Sequence, residues 1–406
     1  LEASLWVKKL AKQGFCGNVS QWHFAHENTM EYIIPTDEEK KLRQQLQTRE
    51  DTDALRIKRY LSMPDLSRTP ESPLHELVRR VRSTEVLKNF DNIVIPEIVP
   101  ANISFDLFNF PADHPARSTS DTYYVDDKNI LRTHDTVMWY YYLNLPEIQE
   151  KTANGEPVGT VCYGKVYRKD EIDNRHMNVF HQFGGWYLQA DSQGEFTLDD
   201  LKKVLSQIVE SVFGKDIEYR FNPDIFPYTD PSLEVEVKVG DLWIEILGGG
   251  MPKKSVLKNM GLEGYNGWAF GFGLERLAII SMELPDIRLL WSTDPRVAGQ
   301  LQLGKKFKEV SKYPAVVRDI SFVVQSDFAP NNYFDLIRET VGEDLVEEVK
   351  LLDTYTDPKK FGENMTSYTY RIVYRSLDKT LTNEEVDALH KKLEMVTTAQ
   401  YRARVR

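Results

Sequence analysis

Four stretches of the chain combine residue types that could hold a nucleotide beside a flat apolar ligand. In YRKDEIDNRHMNVFHQ, Tyr167 to Gln182, the residues Arg168, Asp170, His176, Phe180 and Gln182 surround one polar loop between strand-like ends. Arginine grips phosphate through paired N–H bonds. A phenylalanine can stack on a nucleobase, and a histidine can reach a terminal phosphate. The same residues would also suit the charged tip of a surface hairpin. GFGLERLAI, Gly271 to Ile279, sets Arg276 behind tight glycines at the start of an apolar helix. Glycine lets a ligand approach the backbone, and equally lets a helix pack closely on a sheet. In FPYTDPSLEVEV, Phe226 and Tyr228 alternate on one face, as do Glu234 and Glu236. Two aromatics on one wall suit a flat side chain, or an ordinary core. NFPADHPARSTSDTYYV and ILRTHDTVMWY are loop-rich and polar, with His114, Arg117, Arg132 and His134.

Familiar motifs are missing. There is no G-x-x-x-x-G-K-S/T loop, no H-E-x-x-H, and no glycine-rich turn with its ribose acid; GFGLER ends in Glu-Arg instead. Cys16 and Cys162 are too few for a disulfide framework or a zinc site, which points to a reducing compartment and to no resident metal.

These side chains need a scaffold. GTVCYGKVYRKD, from Gly159, alternates like a strand, with WYLQA from Trp186 as its partner. LDDLKKVLSQIVESVF, from Leu198, reads as an amphipathic helix. IEYRFN, LEVEVKV and DLWIEILGGG are strand-like runs separated by turns, which implies an antiparallel sheet. Upstream, residues 1–36 read as irregular and aromatic. Thr36 to Leu61 reads as one helix opened by a Thr36/Glu39 capping box, either a solvated helix or an RNA-touching arm. Ser62 to Pro73 reads as a linker, and Leu74 to Asn89 as a helix. Beyond the basic stretch Lys305 to Lys308, a strand–helix–strand–strand–helix order with a short ending predicts a ferredoxin-like βαββαβ sandwich. The division expected is an extension and linker (1–73), a catalytic body (74–300), a linker (301–310) and a last module (311–406).

Composition is that of an α+β globular chain of 406 residues, 41% hydrophobic and 28% charged. No apolar run is long enough to span a bilayer, and no apolar signal segment opens the chain. The absence of an initiator Met suggests a processed or partial chain. Net charge is −11, which argues against a general nucleic-acid coat. Residues 301–406 carry 17 charges of each sign, so the excess lies entirely in the body.

Taken together, DHPAR, DTYY, LRTH, YRKDEID…H…FHQ, FPYTDPS, GWAFGFGLER and PDIRLLW resemble, in order, the catalytic part of class II aminoacyl-tRNA synthetases, most closely the phenylalanyl-tRNA synthetase family. SKYPAVVRDISF onward resembles that family's ferredoxin-fold anticodon-binding domain. Both in one chain resemble the single-chain, mitochondrial type. The resemblance implies a large antiparallel sheet flanked by helices. It implies ATP and Mg²⁺, phenylalanine and tRNA(Phe) as partners, an aminoacyl-adenylate intermediate, no membrane, and a monomer in the mitochondrial matrix or, for a bacterial single-chain form, the cytoplasm. Arg168 matches the arginine on the ATP α-phosphate, Asp170 an acid near the adenine, His176 the histidine of the ATP hairpin, Phe180 the adenine-stacking ring, and Arg276 the arginine on the far side of ATP. Arg168, His176 and Arg276 are the implied catalytic groups, and Pro96 fills the first-motif proline.

At the amino acid end the resemblance implies His134, Asp135, Thr136, Gln182, Phe226, Tyr228 and Ala269. Here the chain departs from the family. Thr133-His134-Asp135-Thr136 stands for THTS, Trp139 for Gln, Tyr228 for Phe, and Gly184 for the usual Glu. The expectation is that Asp135 supplies the charge missing at 184. The departures also leave room for a related ligase with tyrosine or a polar analogue as substrate, and a non-catalytic RNA-binding paralogue is the remaining alternative. Glu234 is a candidate acidic contact. Arg371, Arg375, Arg402, Arg404 and Arg406 are candidate tRNA contacts, or a solvated charged face. Removal of residues 305–406 is expected to abolish charging and spare adenylate formation.

Overall fold

Strands of alternating bulk build the centre of the molecule. A computed structural model describes residues 29–34, 37–171, 173–309 and 313–406; Trp6, Cys16, Trp22, Thr36 and Ser311 lie outside them. The strands of the body are β1 (Glu31–Ile33), β2 (Asp91–Val94), β3 (Ile98–Pro100), β4 (Asn129–Leu131), β5 (Val158–Tyr167), β6 (Val179–Ala190), β7 (Tyr219–Phe226), β8 (Thr229–Val239), β9 (Leu242–Pro252) and β10 (Tyr265–Gly273). Eight of them form one sheet in the order β1-β2-β5-β6-β10-β9-β8-β7, while β3 and β4 pair separately. The sheet is antiparallel from β5 to β7, and β1 and β2 join it in parallel.

Period-two alternation assigns the two faces. Phe183, Tyr187, Trp268, Phe270 and Phe272 point to a layer of helices. That layer is α3 (Pro73–Arg82), α4 (Leu198–Phe213) and α5 (Leu274–Met282), whose apolar residues recur at helical spacing. Thr197 and Asp200 form the capping box that starts α4. The residues between carry little bulk: Gly184, Gly248, Gly250, Ala269 and Gly271 face the other way. That leaves room on the second face, where Phe105, Phe108, Met138, Trp139 and Tyr142 pack with Cys162, Trp186 and Leu188.

The N-terminal region differs from the sequence reading. Tyr32 lies in β1, not in irregular chain. The expected long helix is two, α1 (Asp37–Gln47) and α2 (Thr52–Ser62), because Asp51 accepts from the Ala54 N–H and caps a new start. Their apolar faces pack on Tyr123, Leu131 and Tyr167, so they are neither free in solvent nor an arm. The expected linker is also packed: Leu66 is buried, and its N–H donates to His181 Nε2 at 2.9 Å. The described residues before 74 thus pack on the body. Helix α3 ends at Arg82, short of the expected Asn89.

The last module has β11 (Val316–Gln325), α6 (Pro330–Val341), β12 (Val346–Tyr355), β13 (Met365–Tyr374), α7 (Asn383–Tyr401) and β14 (Arg404–Val405), the expected βαββαβ order. Its antiparallel sheet, β12-β13-β11-β14, packs one face on both helices. Among the described residues no helix is long and apolar enough to cross a membrane.

Candidate active site

The hairpin joining β5 to β6 starts the site. The Arg168 N–H donates to the Asn178 carbonyl at 3.0 Å and closes its base. The Arg168 guanidinium donates from Nε to the Thr133 carbonyl at 2.9 Å and lies 5.1 Å over the Phe180 ring. Burial pulls this guanidinium below its usual range, Asp170, Tyr228 and Asp135 oppose the shift, and Arg276 adds to it. The two arginines therefore feel each other across one space. His176 Nδ1 lies 2.8 Å from Asp173 Oδ2, and that bond raises the imidazole above its usual range. Arg276 opens α5, where Nη1 donates to the Glu245 carbonyl at 3.2 Å and sits 3.5 Å from its carboxylate.

A buried clamp fixes these parts to one another. The His181 N–H donates to Glu275 at 3.0 and 2.9 Å, and His181 Nδ1 lies 2.6 Å from Glu275 Oε1. It ties Phe180 and Gln182, either side of His181, to the residue preceding Arg276. Sequence reasoning missed this pair.

Residues 133–136 form the polar wall. Gln182 Oε1 accepts from the Asp135 N–H at 3.1 Å, and His134 Nε2 lies 3.1 Å from the Ser104 carbonyl. Burial, with Arg168 adding to it, pushes His134 down to about 3, so the ring is neutral. Burial pushes the Asp135 carboxyl up to about 7. Among the described residues Thr133 Oγ1, His134 Nδ1 and Asp135 Oδ2 are buried without a hydrogen-bond partner. A Cβ at Gly184 would collide with Asp135 Oδ2 and lie 2.8 Å from its Cγ, so the aspartate fills the volume a side chain at 184 would take.

The apolar end is aromatic. Phe226 and Tyr228 stack with centroids 5.9 Å apart and planes at 9°. Phe108 meets Tyr228 edge-on at 6.2 Å, and Phe110 lies 6.1 Å from it. Gly248 makes room for Phe226: a Cβ there would lie 2.8 Å from Phe226 Cζ. Ala269, opposite Gly250 in register, packs with Tyr228 into the apolar cluster of Phe108, Met138, Trp139 and Val256. The aromatics Phe108 and Phe110 were not singled out from sequence; their F-x-F spacing before a proline was the available signal.

All twelve residues proposed for ATP and the amino acid line a single cavity of about 610 Å³. Glu234 does not: it accepts from Asn222 Nδ2 at 3.2 Å, and Glu245 on the next strand lines the cavity instead. His114 is in the wall, but Arg117 pairs with Asp106 and Arg132 donates to the Lys165 and Ile95 carbonyls, both structural contacts. The expected tRNA contacts lie on the last module. Arg371 grips Asp319 with two bonds and Arg375 pairs with Glu347. Arg402 ends α7 in a left-handed conformation, Arg404 is on the edge strand β14, and Arg406 donates to Ser367 Oγ.

With this geometry in view, the comparisons with known proteins agree. The tRNA synthetases class II core domain (F) model matches residues 59–301, and the ferredoxin-fold anticodon binding domain model matches residues 311–406. The phenylalanine--tRNA ligase, chloroplastic/mitochondrial, of Arabidopsis thaliana is 41% identical over 307 residues, covering 73% of this chain and 68% of that protein. The mitochondrial phenylalanine--tRNA ligase of Mus musculus is 35% identical, covering 74% and 72%, and that of Saccharomyces cerevisiae 32%, covering 79% and 84%. Among class II tRNA synthetases, the chain belongs to the phenylalanine--tRNA ligase family.

Proposed function

We propose that the protein joins phenylalanine to tRNA(Phe) through a phenylalanyl-adenylate. The observation that carries this reading is the continuity of one cavity, from an aromatic, apolar end through three orphaned polar atoms on residues 133–135 to the paired arginines. The ring of the substrate lies against Phe226 and Tyr228. Its ammonium faces Gln182 and Asp135, and its carboxylate faces Arg168. ATP enters from the other side, its base on Phe180 beside Asp170, its phosphates between Arg168, His176 and Arg276. A carboxylate oxygen attacks the α-phosphorus and pyrophosphate departs. Arg168 offsets the repulsion of two anions and holds them in line. The acyl group then passes to the terminal ribose of the tRNA, releasing AMP, and the protein forms no covalent bond.

The class uses ATP and a divalent metal. Among the described residues no three His, Cys, Asp or Glu side chains cluster to hold a metal ion. Mg²⁺, which neutralises phosphate charge when bound, needs no such cage, because it keeps waters and phosphate oxygens as ligands. Glu245 is the carboxylate lining that end of the cavity.

The apolar surroundings of Ala269 support phenylalanine over tyrosine, since a hydroxyl buried there without a partner costs roughly 1–3 kcal/mol. The last module supplies tRNA contacts through Arg371, Arg375, Arg402, Arg404 and Arg406. Relatives named mitochondrial support a mitochondrial site of action, and we infer the matrix, with the chain acting as a monomer. ATP–pyrophosphate exchange across the twenty amino acids tests the reading. Exchange with phenylalanine is expected. Exchange with none, or a preference for tyrosine, would overturn it.

A further inference from the structure

Asp335 is fully buried on α6 of the last module, yet its hydrogen-bond donors belong to the body. Its carboxylate accepts from Tyr123 at 2.9 Å, Asn178 Nδ2 at 3.1 Å and Tyr60 at 3.3 Å, with Arg56 Nε at 3.5 Å. Asn178 is the residue that closes the nucleotide hairpin. Its carbonyl accepts from the Arg168 N–H, and its side-chain amide reaches the Arg168 carbonyl at 3.3 Å. Two more bonds cross from α6 to the same hairpin: Lys169 Nζ donates to Asn332 Oδ1 at 2.9 Å, and Arg338 Nη2 donates to the Glu171 carbonyl at 3.0 Å. His176 and Asn178 themselves line the narrow seam between body and module, opposite Arg338 and Val346. A buried carboxylate is costly to leave without its donors, so these bonds hold the hairpin and α6 in one register.

We propose that Asp335 is a positioning residue for the nucleotide site: acting through Asn178, the last module sets the geometry of the hairpin that carries Arg168 and His176. The proposal rests on the functional reading above, and it replaces the expectation that residues 305–406 can be removed without harm to adenylate formation. The test uses the full chain in ATP–pyrophosphate exchange with phenylalanine, with rates normalised to titrated active sites. Asp335→Ala removes the oxygen that accepts from Asn178, Tyr60 and Tyr123. Asn332→Ala, at a half-buried position, removes only the Lys169 contact and decides the matter where the first variant fails to fold. We expect the KM for ATP to rise about tenfold in the first and threefold in the second, with that for phenylalanine within twofold of the parent. An equilibrium ATP titration of the same proteins reads the positioning without turnover and should show matching increases in Kd. Unchanged ATP constants, or both substrates weakening together, would overturn the proposal. A parent that binds ATP but exchanges with no amino acid would instead sink the functional reading, and the ATP titration would still decide the role of Asp335.

Discussion

Replacing Asp135 with Asn removes one charge from the polar end of the cavity and changes almost no volume. The carboxyl is 5% exposed, and its Oδ2 is buried without a partner among the described residues. A substrate ammonium there would form a charge-assisted hydrogen bond, worth roughly 1.5–3 kcal/mol. Its loss should raise the KM for phenylalanine about ten- to a hundredfold. The KM for ATP should stay within twofold, since the proposed phosphate contacts are Arg168, His176 and Arg276. Pyrophosphate exchange measures both constants. An unchanged phenylalanine KM would refute the assignment of Asp135 to the ammonium.

The same carboxyl makes a pH prediction. Burial lifts it from 3.8 to about 7 in the free protein. Binding needs the ionised form, so kcat/KM for phenylalanine should fall about tenfold per pH unit below 7 in the parent and stay flat through that range in the Asn variant. Stability runs the other way. A carboxyl with a raised folded-state value stabilises fully below 3.8, and its contribution is lost as pH rises through about 7. The gap corresponds to about 4 kcal/mol as an upper limit. Asp135→Asn should therefore raise Tm at pH 8 and leave it nearly unchanged at pH 4.

Three further perturbations address other parts of the site. Asp173→Asn removes the bond that raises His176, so the alkaline fall of kcat/KM for ATP should move to lower pH; an unmoved limb would separate His176 from the phosphates. Gly248→Ala drives a methyl against Phe226 Cζ, and about 1 kcal/mol of rotamer strain predicts a fivefold rise in the phenylalanine KM with ATP unaffected, measured by exchange. Arg404→Ala should weaken tRNA binding and lower its salt slope by about one, whereas Arg371→Ala should do less because Asp319 already holds that guanidinium. Filter binding at several salt concentrations distinguishes them.

Much of the site is legible in the chain because its parts are local. Arg168, His176 and Phe180 belong to one hairpin, and Arg276 comes three residues after the glycine-rich strand β10 that lines the cavity, so short spacing carries much of the geometry. What sequence did not reveal depends on register and on long-range contact. Glu234 and Glu245 lie on neighbouring strands, and the pairing, irregular between Val235 and Glu236, sets Glu234 opposite Gly248 and Glu245 opposite Glu236, a register no local spacing reveals. The linker reading of residues 62–73 rested on Pro and Ser content, and nothing local says that Leu66 docks beside His181. Likewise Asp335 is an ordinary helix acid until the body brings Tyr60, Tyr123 and Asn178 to it. The size of the cavity was visible in principle, since every second residue of GWAFGFG is large and faces the helices, leaving the small ones toward the cavity.

That alternation also explains why the departures at 135 and 184 belong together. A sheet can wall a cavity only if the side chains on that face are small, and each vacancy is then filled by a ligand or by a side chain from the opposite wall. At 248 the occupant is the Phe226 ring, and at 184 it is the Asp135 carboxylate. A glutamate at 184 with Asp135 in place would set two buried carboxylates in one volume, a steric clash and a charge repulsion at once. Loss of Asp135 alone leaves a space and no counter-charge. Only the paired exchange, Asp135→Thr with Gly184→Glu, returns one negative charge to the same volume. Phenylalanine affinity should therefore recover in the double variant after being lost in either single one, a non-additivity expected of side chains that occupy one site.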